Sequence, residues 1–162
     1  MSLLLPLTIN IKITETIKVE GNVIDDLVVG GGNIDDHIDE VSARIAHWGV
    51  LYAEANKQLA LHKLDNDKWM AERKKEARDS AKKEFKSEKA NLEQVMMDNV
   101  ESYAKHCKDI IDDEYNTEVI KSVLDAFRAK KDMLVSLSAN QRSEMERDML
   151  IKDWNKKMKE GR

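Results

Sequence analysis

The residue types that could do chemistry are few in this chain, and their spacing is poor for it. The four histidines, His37, His47, His62 and His106, form no HExxH pattern, in which two imidazoles one turn apart share a helix face with a carboxylate between them. His47 and His62 fall on or beside an apolar stripe, where packing is the ordinary role. Asp112, Asp113 and Glu114 are consecutive, and neighbours on a helix point in different directions, so they cannot work as a general acid/base pair. Cys107 is the single cysteine. It has no CxxC partner, no adjacent His–Asp pair and no basic flank, which reads as a small apolar filler in a reducing compartment. Gly30 to Gly32 follow a strand-like segment and precede a helix, yet no Lys and Ser/Thr complete a phosphate loop. The acids Asp35, Asp36, Asp39 and Glu40 would also repel phosphate from that helix start. The chain is therefore expected to be no enzyme and to hold no metal and no cofactor.

What remains is charge, and it is laid out in blocks. From Glu20 to Glu40 every charged residue is acidic. From Lys63 to Lys89 cations lead, with Lys68, Arg73, Lys74, Lys75, Arg78, Lys82, Lys83, Lys86 and Lys89 outnumbering the acids among them. Arg128, Lys130 and Lys131 make a second small cluster, and a basic tail surrounds Trp154. The formal net charge of −4 excludes a uniformly basic nucleic-acid binder but says nothing of a local one. Any single lysine here is adequately explained as part of a solvated helix with i,i+4 pairs. A cluster beside Trp69 can instead track a phosphate backbone while the indole stacks a base. Candidate nucleic-acid-binding residues are accordingly Lys68, Trp69, Arg73, Lys74, Lys75, Arg78, Lys82, Lys83, Arg128, Lys130 and Lys131.

The elements that must position these residues are mainly α. After Gly49 there is no glycine or proline until Gly161, and strong helix formers fill the interval. One long helix is expected from Asp35 to Lys89, with Asn33 at its N-cap and an acidic first turn facing the helix dipole. Its stripe is Ile38, Val41, Ile45, Trp48, Tyr52, Ala55 and Leu59, an alternation of three and four. His62 and Asn66 then interrupt it before Trp69 resumes the line. Ser87 can cap a second helix carrying Leu92, Val95 and Met96. Asp112 to Thr117 is a polar cluster that could kink or end it before a final helix with Ile120, Val123, Leu124 and Phe127. The body is expected to be a long antiparallel hairpin or coiled-coil-like domain over residues 33–160.

Residues 1–32 read as an N-terminal β segment with a glycine hinge. Leu7, Ile9, Ile11 and Ile13 alternate with polar residues, the pattern of a half-buried strand. Ile17 and Val19 keep the same parity, so a bent strand or two short ones both fit. A lone strand is unstable in water, so it must pair with Val23 to Val29 or with a neighbouring subunit. The charged fraction of 36% and aromatic fraction of 5% suit elongated helices that bury a narrow seam, and burial is expected to be completed between subunits. Ile9, Ile11, Ile13, Ile45, Trp48, Tyr52 and Leu59 are the expected oligomer interface. The N-terminal sequence has no basic n-region and no run long enough for a membrane span. A cytoplasmic protein without membrane contact is expected.

Two stretches carry a family resemblance. Trp48 to Ala55 (WGVLYAEA), continuing to Leu59, Leu64 and Trp69 after the acidic start Ile34, Asp35, Asp36, is similar to an aromatic, alanine-containing helix of the tailed-phage recombination mediators of the UvsY type. Val119 to Leu137, followed by Asn140 to Met145, resembles a recurring phage segment of the form Leu-Lys-x-x-x-x-Ala-x-x-x-Arg-x-x-x-Leu. Together they cover Ile34 to Met149. The resemblance implies a helical hairpin that assembles into a ring, binds single-stranded DNA in an infected host cell, and helps a RecA-like recombinase replace the single-strand-binding protein. Lys68 to Lys89 and Arg128 to Lys131 would serve DNA, and the Trp48 stripe assembly. The strands from Leu7 to Val29 have no counterpart in that family. The competing expectation is a phage structural, scaffolding or coiled-coil adaptor protein that binds only protein. A third, a host-directed inhibitor acting through the acidic block, has seven uncompensated acids from Glu20 to Glu40, few for a DNA mimic.

Overall fold

A computed structural model of the chain describes residues 8–23, 27–28, 33–84 and 87–160. The order is β1 (Thr8–Lys12), β2 (Lys18–Asn22), α1 (Ile34–Glu84), α2 (Glu88–Asp98) and α3 (Val100–Glu160). This is the mainly α class expected, with antiparallel long helices and a short N-terminal β segment. Among the described residues no helix is long and apolar enough to cross a membrane.

The strand-like parity from Leu7 to Val19 resolves into two short strands rather than one bent strand. β1 and β2 form a two-stranded sheet around a five-residue connection in which the Ile13 and Thr14 amides donate to Ile17 O at 2.9 and 3.3 Å. The Thr14 hydroxyl accepts the Ile17 amide at 3.0 Å, a local alternative to strand pairing that threonine offers readily. The partner of β1 is therefore Lys18–Asn22 and not Val23 to Val29, where Val23 and Leu27 are helical. Leu7, Ile24 to Asp26, Val29 and the three glycines lie outside the described residues.

α1 starts as its sequence dictates: Asn33 Oδ1 accepts the Asp35 amide at 3.2 Å, and Asp35 and Asp36 occupy the first turn. Ser87 stands at the N-cap of α2 in an extended conformation with φ −65° and ψ 133°, but its hydroxyl makes no capping hydrogen bond. The polar run Asp112 to Thr117 ends nothing. α3 passes through it for 61 residues, and the break falls at Asn99, whose amide turns back to Met96 O and Met97 O while its side chain donates to Val95 O at 2.8 Å. Asparagine tolerates such a conformation because its amide replaces a backbone partner.

The chain divides into two compact units. Among the described residues, the first holds those within 22–49 and 122–160. Its core contains Val41, Trp48, Val123, Leu124, Phe127 and Leu134, with Phe127 and Leu134 fully inaccessible. Trp48 stacks on Phe127 at 6.4 Å between ring centroids, and His47 meets the Trp48 edge at 6.1 Å.

The second unit holds residues 8–21 and 50–121. Here α1 and α3 run antiparallel, since His62 faces Asp113, Lys63 faces Glu114 and Trp69 faces Tyr103 and His106. Ile9, Ile11 and Ile13 are buried, as are Leu51, Ala55, Ala77, Ala81 and Ile120. Asn116 Nδ2 donates to Lys12 O at 3.2 Å, tying α3 to β1.

The residues expected at an oligomer interface are thus placed inside the chain. Ile9, Ile11, Ile13 and Trp48 are at most 6% exposed, and Ile45, Tyr52 and Leu59 are half-buried. Periodicity marks such a ridge only as apolar, without saying what covers it; Trp48 is met by Phe127 of α3.

Candidate nucleic-acid interface

The cation run of α1 lies in the second unit, and its helical geometry sorts the charges. At about 100° per residue, Lys74, Arg78, Lys82, Lys75 and Lys68 fall on one arc of α1, the acids Glu72, Glu76 and Asp79 on the next. The line Trp69, Arg73, Ala77 and Ala81, half-buried at its first two positions and buried at its last two, takes the remainder. Alternating signs in the sequence therefore become a basic stripe and an acidic stripe side by side. Lys74, Lys75, Arg78 and Lys82 are exposed, and among the described residues Lys74, Lys75 and Lys82 form no ion pair. Lys68 lies 3.7 Å from Asp65, and Arg73 pairs with Glu76 at 2.9 Å. The side chain of Lys83 lies outside the described residues, as does Lys86.

α1 and α2 together form an open groove of about 500 Å³ lined by Lys74, Ala77, Arg78, Glu88, Lys89 and Leu92. Three cations with a narrow apolar floor of Ala77 and Leu92 suit a phosphate backbone whose sugars and bases also need contact. Ala77 and Ala81 are small and buried, which leaves room for α2 to approach α1.

Trp69 is not the free stacking ring that sequence suggests. Tyr103 lies against it at 6.0 Å and 25°, His106 at 5.6 Å, and the Arg73 guanidinium sits 5.9 Å from its centroid. Tyr103 is 38% exposed, so it offers ring surface to solvent that the half-buried Trp69 lacks. Its hydroxyl is held above the ordinary phenol value by a hydrogen bond to Cys107 and by that neighbour's charge. Tyr103 and His106 are the members that sequence reasoning missed. They sit in a different helix, and no local pattern announces which turn of α3 faces Trp69.

The second basic cluster disperses. It belongs to the first unit, where Arg128 pairs with Asp125 at 2.9 Å and Lys130 is 8% exposed, its ammonium donating to Val28 O at 3.4 Å. Lys131 is half-buried. A buried lysine held by its carbonyl partner does not reach a phosphate, so Lys130 is removed from the candidate interface, while Arg128 stays exposed beside Asp125.

Another cavity of the second unit, about 860 Å³, is largely acidic. Its lining includes Lys12 at the end of β1, Glu15 of the hairpin turn, Gln58, His62, Asp109, Asp112 and Asp113. Gln58 Nε2 donates to His62 Nε2 at 2.9 Å, and His62 Nδ1 lies 2.7 Å from Asp113 Oδ2. Burial pushes the Asp113 carboxyl above its ordinary value against the opposing pull of His62, and Asp109 and Asp112 push the same way as burial. Among the described residues no group of three or more His, Cys, Asp or Glu side chains is arranged to hold a metal ion.

The sign of the Asp113 shift gives an expected outcome. A carboxyl with a raised folded pKa favours folding when protonated, an advantage complete below its unfolded pKa and lost as pH rises through the folded value. Asp113→Asn should therefore raise the unfolding midpoint at pH 7, and the gain should shrink as pH falls towards 4. Urea melts of both proteins across that range check it. A variant less stable than the parent at pH 7 would show that the His62 contact outweighs the burial cost.

Compared with family models, with curated proteins and with solved structures, the chain gives no match.

Proposed function

We propose that the protein is a non-enzymatic, oligomeric, cytoplasmic recombination mediator of phage type. In this reading it binds single-stranded DNA through the second unit and assists a RecA-like recombinase against the single-strand-binding protein. The observation that carries the DNA reading is the groove in which Lys74, Arg78 and Lys89 converge from two helices. Beside it on α1 lie further exposed cations, Lys75 and Lys82. Tyr103 is a partly exposed ring in the same unit on which a base can stack. The recombinase part rests on the resemblance of Ile34 to Met149 to the phage mediators.

Binding of this kind is driven by release of counterions from the strand. Neutralising four phosphates gives a log–log salt slope of about −3, so affinity for a labelled oligonucleotide should fall about 50-fold between 50 and 200 mM salt. Fluorescence anisotropy measures this directly. Affinity that ignores salt, or no binding at low salt, would reject the electrostatic mechanism.

A second reading, an adaptor that binds protein only, is favoured by the exposed apolar residues of α3, from Met133 to Met158. It gives the same helices without salt-sensitive oligonucleotide binding.

A further inference from the structure

α3 carries a second apolar line that its own unit leaves uncovered. Phe127, Leu134 and Ser138 are buried on one face. On another face Met133, Leu137, Ile151, Trp154 and Met158 are between 42% and 62% exposed. With Asn140, Glu144 and Arg147 between them, these positions follow an unbroken alternation of four and three, the spacing of a coiled-coil seam. The stripe runs for more than three heptads, about 38 Å at 1.5 Å per residue. From Ala139 to Lys159 every residue of α3 is exposed. In proteins most helical stability comes from packing an apolar face, and this stretch buries none among the described residues.

We infer that this stripe is the contact between two copies of the chain, paired antiparallel about a two-fold axis that passes between Glu144 and Arg147. The choice of occupant follows from self-complementarity. A two-fold contact sets residue i against j and j against i. Among such registers the one centred there also opposes the charges: Glu144 meets the second copy's Arg147 in both directions, Leu137 meets Trp154, Met133 meets Met158, and Asn140 meets Ile151. Asp132 and Lys159, just outside the stripe, also fall opposite each other. A parallel arrangement would instead set Glu144 on Glu144 and Arg147 on Arg147, a like-charge layer that disfavours it. The contact rests on the oligomeric part of the proposed function and replaces the buried residues, Trp48 among them, as the surface of assembly. Being closed by its own symmetry, it builds a dimer.

The test is sedimentation equilibrium of the full chain, free of DNA, at tens of micromolar. The parent protein is expected to be a dimer. Glu144→Arg and Arg147→Glu should each weaken it by about tenfold or more, because each sets like charges at the centre. An equimolar mixture of the two variants should recover the dimer, since the charges again oppose. All four substituted positions used here and in Leu137→Glu with Trp154→Glu are exposed, and unchanged circular dichroism confirms that the fold survives. The Leu137→Glu, Trp154→Glu double variant should be monomeric. A monomeric parent, single variants that dimerise unchanged, or a mixture that fails to recover would each overturn the proposal. So would a monomeric parent captured by vesicles of anionic lipid, which would assign the stripe to a membrane surface. Failure here is separable from failure of the DNA reading: a monomer that binds oligonucleotide with the expected salt slope loses this contact only, and a dimer that ignores DNA keeps it.

Discussion

Phe127→Ala is expected to cost about 3–5 kcal/mol of folding free energy. Phe127 has no accessible surface and stacks on Trp48, so truncation removes both the transfer free energy of the ring and the aromatic contact, and leaves a cavity. Neighbours can collapse into such a cavity only partly, because Leu134, also fully inaccessible, is held at its own place on the rigid α3. For a chain of this length about 2–4 °C accompanies each kcal/mol, which places the melting temperature about 6–20 °C below the parent's. A matched control is Val135→Ala on the same helix. Val135 is 46% exposed, and its removal should change stability by no more than about 0.5 kcal/mol. A Phe127→Ala protein that melts within a degree or two of the parent would mean that Phe127 does not anchor the first unit.

Reversing the basic stripe should have the largest effect on binding. Arg73, Lys74, Lys75 and Arg78 together replaced by Glu change the local charge by about eight units, converting attraction into repulsion along the groove. Once these cations no longer neutralise about four phosphates, the salt slope of about −3 should vanish, and binding at 50 mM salt should drop by about a thousandfold or more. Lys74, Lys75 and Arg78 are exposed, so their reversal alone spares the core. Arg73 sits over Trp69 and pairs with Glu76, and its replacement also disturbs packing. The triple variant without Arg73 is therefore the decisive one. If the triple variant keeps its helical circular dichroism and still binds oligonucleotide with the parent's salt slope, the stripe is not the DNA contact. Charge reversal in α1 should leave the sedimentation behaviour unchanged, because the stripe proposed for assembly lies on α3.

Both expectations show what can be read from residues alone. The absence of glycine and proline from Val50 to Glu160 dictated helix, because no residue there resists it strongly. Asn33 and Ser87 marked helix starts, since a side-chain acceptor or an extended backbone is needed where the first amides lack partners. The alternation Ile9, Ile11, Ile13 marked a strand with one buried face. These are local preferences, carried by each residue's own backbone and neighbours three or four positions away.

Other features depended on which surfaces meet. The Asp112 to Thr117 run looked like a helix end, but its Asp113 and Thr117 are buried, and packing against another element overrides a weak local preference. Trp69 was legible as an aromatic beside cations, while its stack with Tyr103 and His106 was not, since those rings are more than thirty positions away in sequence. Lys130 read as a surface cation and lies buried against Val28 O. The Trp48 stripe and the Met133 to Met158 stripe have the same 3.5-residue character. Only the tertiary structure decided that the first is largely covered by the chain itself and the second stays exposed, because periodicity fixes the direction of an apolar face and says nothing about what lies opposite it.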